Sequence, residues 1–362
     1  SDIHMEIYEN RCRVRFRLDG ALMERFELKE TDYPVWVNRI KIKSNLDIAE
    51  KRLPQDGRIL HKFQGRETDI RVSVLPTLYG EKVVLRLLNN DATSIELSQL
   101  GLSNDELENY LEGVKKPQGM VLISGPTGSG KTTTLYATLK RLNKNDTNIL
   151  TIEDPIEYTL EGINQVQLKE SIGLDFPSAM RTFLRQDPDV IMVGEIRDKA
   201  TAEMAIRASL TGHLVLSTIH TNSAWGIVAR LVDMGVPSYL LAGTLNTAVA
   251  QRLVRKNCSH CKKEELLSIE SFPKGFKLPS VINHHFKGEG CAKCHFTGYK
   301  GRIAIYEVLT IDKDLSYAIK EDTFDIETIL SEKGILSLSD NAFRLLKEGT
   351  TSLEEVYPIL MG

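Results

Sequence analysis

The chain has 362 residues, 41% of them hydrophobic and 26% charged, with a formal net charge of -3. That length favours two or three domains, the composition is ordinary for a globular protein, and the charge leaves no electrostatic footprint for a nucleic-acid partner. No apolar run approaches the roughly 20 residues that span a bilayer, and the opening Ser1-Asp2-Ile3-His4 carries neither a signal peptide nor an initiating Met, so the chain reads as a fragment lacking an upstream segment.

From Arg11 to Leu18 the sequence alternates strictly, with Cys12, Val14, Phe16 and Leu18 on one face and four arginines on the other. That period predicts a half-buried strand, turned by Asp19-Gly20. Tyr33 to Lys43 is expected as a helix with Val35, Ile40 and Ile42 inward. Arg58–Phe63, Thr68–Leu75 and Lys82–Leu88 read as strands, the last two joined by the turn Pro76–Gly80. Asn89 to Ser94 is polar and reads as a linker.

Beyond it, short apolar runs at Met120–Ile123, Asn148–Ile152, Val190–Val193 and Leu214–Ser217 alternate with helical patterns. Such alternation predicts a mostly parallel sheet covered by helices on both faces. Arg302–Leu309 reads as one more strand, and the tail to Gly362 as short helices.

The strongest motif follows the first of these runs. Gly125-Pro126-Thr127-Gly128-Ser129-Gly130-Lys131-Thr132 is a complete G-x-x-x-x-G-K-[ST], and a helix from Thr133 to Leu142 is expected after it. Strand before and helix after is the context this phosphate-binding loop needs. Its glycines let backbone N–H groups turn inward on phosphate oxygens, and the helix N-terminus adds partial positive charge. Lys131 suits the β- and γ-phosphates and Thr132 a magnesium ion, with Thr133 completing the nucleotide-binding stretch Gly125–Thr133. The bland alternative is a glycine-rich turn beside a surface lysine.

Val190-Ile191-Met192-Val193 leads through Gly194 to Glu195, an acid at a strand end. In an open α/β sheet that edge faces the ligand, so Glu195 can hold magnesium or orient a water; an ordinary loop acid is the alternative. Glu153-Asp154-Pro155-Ile156-Glu157 places three carboxylates in five residues, which repel unless a cation compensates. Magnesium-ATP would do so, and a solvated acidic turn is the competing reading.

Of five cysteines, four form two C-x-x-C pairs, Cys258/Cys261 and Cys291/Cys294, framing Lys262 to Gly290. Each pair can set two thiolates on a tight turn, and four thiolates complete a tetrahedral zinc shell. Beside a nucleotide-binding motif this points to zinc in a cytoplasmic protein rather than to disulfides. His260 and His295 are read as bystanders.

Taken in order, the phosphate loop, the Glu153–Glu157 segment, RQDPDVIMVGEIRD at Arg185–Asp198, TGHLVLSTIHT at Thr211–Thr221 and the opening SDIHMEIYENRCRVRFRLDG resemble the ATPases that power type II secretion, type IV pili and DNA uptake. The resemblance implies an α/β fold: a small PAS-like domain (1–90) closing over nucleotide, a linker (91–100), a RecA-like P-loop core (101–256), a four-cysteine zinc insert (257–300) and a C-terminal strand and helical region (301–362). It implies that Glu157 polarises the attacking water, that Glu195 is the acid of the second nucleotide motif, and that His213 and His220 stand near the γ-phosphate; as bare residues both histidines read as satisfied core side chains. It also implies that two arginines of the first domain, assigned to Arg71 and Arg86, neutralise phosphate charge, with Arg66 or the arginines of Arg11–Arg17 as substitutes. ATP, magnesium and zinc are the implied cofactors. The implied partners are five further copies in a ring and an inner-membrane platform, with no nucleic acid, at the cytoplasmic face of the membrane. The cysteine insert favours a type II secretion ATPase over a pilus assembly ATPase.

Overall fold

A computed structural model of the chain describes every residue except 64, 65, 89–94, 275–277, 279, 324 and 362. The expected linker Asn89 to Ser94 therefore lies outside the described residues. The chain divides into two compact units, Ser1–Ser94 and Ile95–Gly362.

The first unit is a six-stranded antiparallel sheet with one helix. Its strands are β1 (Asp2–Tyr8), β2 (Arg11–Leu18), β3 (Ala21–Leu28), β4 (Gln55–Phe63), β5 (Arg66–Thr77) and β6 (Gly80–Leu88), in the order β3-β2-β1-β6-β5-β4. β2 has the predicted alternation, with Cys12 and Val14 buried. Its arginines are held by acids: Arg13 and Arg15 donate to Glu6, and Arg11 to Glu24. β5 and β6 pair as far as Thr77 and Gly80, so the turn holds only Leu78 and Tyr79 rather than the five residues expected. Pro76 sits where β5 has run past β4, so its missing N–H breaks no ladder bond.

Helix α1 has the predicted bounds, Tyr33–Lys43, with a proline in its first turn, where proline is best tolerated. Its inward face differs from the expectation. Val35 and Ile42 are 66% and 62% exposed, whereas Tyr33, Val37 and Lys41 are buried. Lys41 Nζ donates to the carbonyls of Glu50 (2.7 Å) and Asp47 (3.2 Å) and lies 2.5 Å from Glu81 Oε1. A buried ammonium is tolerated only when paired in this way, and a count of apolar residues cannot see it.

The second unit is built on a seven-stranded sheet. Its elements are α2 (Asn104–Val114), β7 (Gly119–Ser124), α3 (Lys131–Leu142), β8 (Ile149–Glu153), β9 (Asn164–Gln167), α4 (Phe176–Phe183), β10 (Val190–Val193), α5 (Lys199–Leu210), β11 (Leu214–Ile219), α6 (Gly226–Asp233), α7 (Ser238–Thr244), β12 (Leu245–Asn257), β13 (Lys262–Leu266), β14 (His284–Gly288), β15 (Tyr299–Thr310), α8 (Lys313–Lys320), α9 (Glu327–Glu332), α10 (Leu338–Lys347) and α11 (Leu353–Leu360). The sheet order is β15-β12-β7-β11-β10-β8-β9, parallel throughout except that β15 runs antiparallel to β12. β7, β8, β10 and β11 are buried along their whole length, which is why they read as short apolar runs rather than alternating ones.

β12 was not anticipated. The stretch LNTAVAQRLVRKN mixes polar and apolar residues because it carries site-facing groups. β15 is the edge strand of the core sheet, so the strand expected in a separate C-terminal region belongs to the core. No helix among the described residues is long and apolar enough to cross a membrane.

Candidate nucleotide and metal sites

β7 delivers the chain to the carboxyl edge of the sheet, and the phosphate loop turns there into α3. The turn needs three residues at positive φ, and all three are glycine: Gly125 (148°), Gly128 (82°) and Gly130 (88°). L residues with a Cβ rarely adopt such angles. Gly130 is the N-cap of α3 and contributes no side-chain cap, so the first N–H groups of the helix stay available to an anion. Lys131 Nζ donates to the carbonyls of Gly125 (2.7 Å) and Pro126 (3.1 Å), which lays the ammonium along the loop. Burial lowers its pKa, while the Glu195 carboxylate pulls it back up. Thr132 is exposed at the mouth of the loop.

Glu195 follows β10, two strands away from β7 in the sheet. It is mostly buried. Arg197 forms an ion pair with it and reaches Asp154 at 4.0 Å, and His220 Nε2 lies 3.6 Å from its other oxygen. A lysine, an arginine, a histidine and two acids thus meet at one edge of the sheet. Charges of both signs at such spacing suit a phosphate–metal complex, which needs cations on the phosphate and oxygen ligands on the metal.

The three carboxylates of the Glu153–Glu157 segment have different surroundings. Glu153 is buried and accepts from Tyr136 of α3, from Thr151 Oγ1 (2.6 Å) and from Gln165 Nε2 (3.0 Å). It therefore ties β8 to the loop-bearing helix. Asp154 is exposed. Glu157 is half-buried, and its N–H donates to Tyr136 Oη at 3.4 Å.

The two histidines also separate. His220 stands just past the carboxyl end of β11, beside Glu195. His213 stands just before the amino end, its Nδ1 2.9 Å from Ala208 O and 3.1 Å from Thr211 Oγ1. The intervening strand places the two roughly 20 Å apart, so the structure does not bring His213 to the phosphate loop. Its contacts instead fix the end of α5. Arg71 and Arg86 are direct cross-strand neighbours on β5 and β6. Arg86 Nε donates to Asp2 Oδ1 at 2.9 Å.

Three residues that sequence patterning missed border the site. Gln251 and Arg252 lie on β12, and Glu307 on β15. Arg252 donates to Asn222 O (2.8 Å) in the loop after His220. Glu307 is buried and accepts from the N–H groups of Ala224 (2.8 Å) and Leu338 (3.3 Å); burial raises its pKa. Arg252 and Glu307 line a cavity of about 580 Å³ together with Gly125, Pro126 and His220. A lone glutamine or glutamate inside a strand gives no sequence signal.

The four-cysteine cluster lies at the base of the β12–β15 connection. Cys258 follows β12 directly, and its N–H donates to Gly298 O. The four Sγ atoms lie within 4.8 Å of one another. Cys258 and Cys291 are 3.9 Å apart, and Cys261–Cys294 and Cys291–Cys294 are 3.8 Å. A tetrahedron of sulfurs about 2.3 Å from zinc has edges of about 3.8 Å, so the donors fit that ion, and all four are unbridged. Burial pushes the Cys261 thiol up to about 12. Burial also acts against the Cys294 thiolate, but N–H groups of Cys291 and Gly298 outweigh it and bring Cys294 down to about 6. Neither His260 nor His295 joins the four.

Residues 1–358 match the family described as "Type II/IV secretion system protein". Type II secretion system protein E of Pseudomonas aeruginosa is 48% identical over 98% of this chain and 71% of its own length. The type IV pilus assembly ATPase PilB of Myxococcus xanthus is 46% identical over 98% of this chain and 64% of its own. The solved structure of the pilus retraction motor PilT with bound ADP is similar with a TM-score of 0.65 and 27% identity, covering 99% of this chain and 92% of that one.

Proposed function

Because this chain belongs to the type II/IV secretion system protein family, we propose that it is the ATPase that drives a type II secretion machine. The observation that carries the reading is the phosphate loop between β7 and α3 with Glu195 and Lys131 in the same electrostatic field. It is an ATP hydrolase of the P-loop kind, with ATP and magnesium as its reactants and zinc as a structural ion.

The loop N–H groups and Lys131 take the phosphates, and Thr132 and Glu195 are the residues that would hold magnesium. A magnesium ion held there would offset the negative charge of the phosphates. Glu157 orients the attacking water, and Arg71 and Arg86 supply guanidinium charge to the phosphates. His220 steadies Glu195. Cys258, Cys261, Cys291 and Cys294 hold the zinc ion. Copies of the chain act as a six-membered ring on an inner-membrane platform at the cytoplasmic face; the names of its relatives support only the coarser part, a place in a secretion or pilus machine.

Phosphate release by the purified chain tests the reading. Magnesium-dependent turnover is expected, and its absence in a folded chain would remove the proposal. The similarity to PilB favours a second reading, pilus assembly. Complementation separates the two: the gene should restore export in a host lacking its secretion ATPase, and restoring piliation alone would favour the second.

A further inference from the structure

Gln251 and Arg252 are consecutive on β12 and so face opposite sides of the sheet at the level of the phosphate loop. Arg252 reaches the loop after His220. Gln251, 1% exposed, reaches the phosphate loop itself. Its Nε2 donates to Ser129 O at 2.8 Å, and its Oε1 accepts from Thr134 Oγ1 of α3 at 2.9 Å. The approach is close enough to constrain the motif. A Cβ at Gly125 would fall 2.4 Å from Gln251 O, and one at Gly130 3.0 Å from Gln251 Nε2. Two of the loop's glycines are therefore pressed against this one residue.

The contact has a directional consequence. In a trans peptide the C=O and the following N–H lie in one plane and point in opposite directions. Holding Ser129 O on Gln251 therefore turns the Gly130 N–H the other way, into the loop. Glycine on one side of that peptide makes it easy to flip, and a flip would present a carbonyl to phosphate oxygens in place of a donor.

We propose that Gln251 is a positioning residue that locks the Ser129–Gly130 peptide in its phosphate-binding orientation. It acts through the loop and touches no reacting atom. The inference rests on the nucleotide reading above. Without the lock the free loop divides between two peptide orientations, and apparent affinity falls by the competent fraction. Saturating ATP selects the competent form, so the loss is in KM and not in kcat.

The test is steady-state kinetics with a fluorescent-nucleotide titration on the full chain. Gln251→Met should raise KM and Kd for ATP about tenfold, the effect of one lost buried hydrogen bond, with kcat close to the parent. Gln251→Glu keeps the shape and the acceptor for Thr134 but loses the donor to Ser129, and should do the same; it serves if the Met variant does not fold. Tyr306→Phe is the control. Its hydroxyl lies 3.2 Å from Thr134 Oγ1 in the same buried cluster, away from the loop, and the variant should keep the parent's KM. Unchanged KM and Kd in the Gln251 variants overturn the lock and leave the nucleotide site standing, as does an equal rise in Tyr306→Phe. A folded parent that binds no nucleotide overturns both.

Discussion

His220 Nε2 sits 3.6 Å from Oε2 of Glu195, across the ends of two adjacent parallel strands, while Arg197 occupies the other carboxylate oxygen. The acid is thereby held from two sides and cannot swing away from the phosphate loop without breaking one contact.

That arrangement sets the expected behaviour of the nucleotide variants. Glu195→Gln keeps shape but loses charge, so it should bind ATP near the parent's affinity and hydrolyse it at least about 100-fold more slowly. Lys131→Ala should abolish turnover, because the phosphates lose their loop cation. Nucleotide titration beside phosphate release measures both, and near-normal turnover in either variant would withdraw its role. His213→Ala should leave turnover within about twofold of the parent while lowering the melting temperature, since its contacts are to the end of α5.

Zinc analysis of the purified chain should return one ion per chain. Chelation, or a Cys261→Ser change, should loosen the β13–β14 hairpin and leave α3 protected in hydrogen exchange, because the cluster binds the base of a side connection rather than the central strands. A metal-free, folded chain with both C-x-x-C pairs oxidised would exclude the site.

Arg71→Ala and Arg86→Ala should each reduce single-turnover hydrolysis more than ATP binding. A guanidinium that favours the transition state over the bound ground state accelerates chemistry without tightening binding, and lysine should rescue only in part. The Arg86 variant also removes one partner of the buried Asp2, which keeps Ser1 and Arg17, so its melting temperature needs to be recorded alongside. Parent-like hydrolysis in both stable variants would move this role to other residues.

The first unit should carry an acid-sensitive step. Burial works against the Glu6 carboxylate, but Arg15, Lys82 and Arg13 outweigh it and hold its pKa at about 2, from an ordinary value of 4.5. A depressed folded value contributes stability above about pH 4.5 that is lost as pH falls toward 2. Glu6→Gln should lower stability at pH 7 and flatten the pH dependence between those limits. Thermal unfolding of the two proteins across that range is the measurement; parallel curves would show that Glu6 contributes nothing there.

Much of this was legible in the sequence because the central strands are buried on both faces. Val190–Val193 and Met120–Ile123 have no polar positions to confuse the pattern, and the phosphate loop announces itself by glycines that no other residue can replace. Legibility failed where a polar side chain is buried by a partner far along the chain. Lys41 is inward because of Glu81 and two carbonyls, so apolar spacing put Val35 and Ile42 on the wrong side of α1. β12 was invisible because Gln251 and Arg252 are there to hold loops and not to fill a core. His213 and His220 look equivalent as letters, and only the length of β11 shows that they belong to opposite ends of the sheet.

The position of the cysteine cluster has one more consequence. Asn257 and Tyr299 are register partners in the β12–β15 ladder, and the four thiolates clasp the chain just beyond them. With the clasp closed, the paired strands β13 and β14 stand on a fixed neck, and the ladder that carries Gln251 lies on the far side of it. A substitution confined to the exposed Leu266 or Val281 leaves that register untouched, whereas Leu267 and Phe272 of the same connection are buried in the core of the second unit and would pass a disturbance on to it.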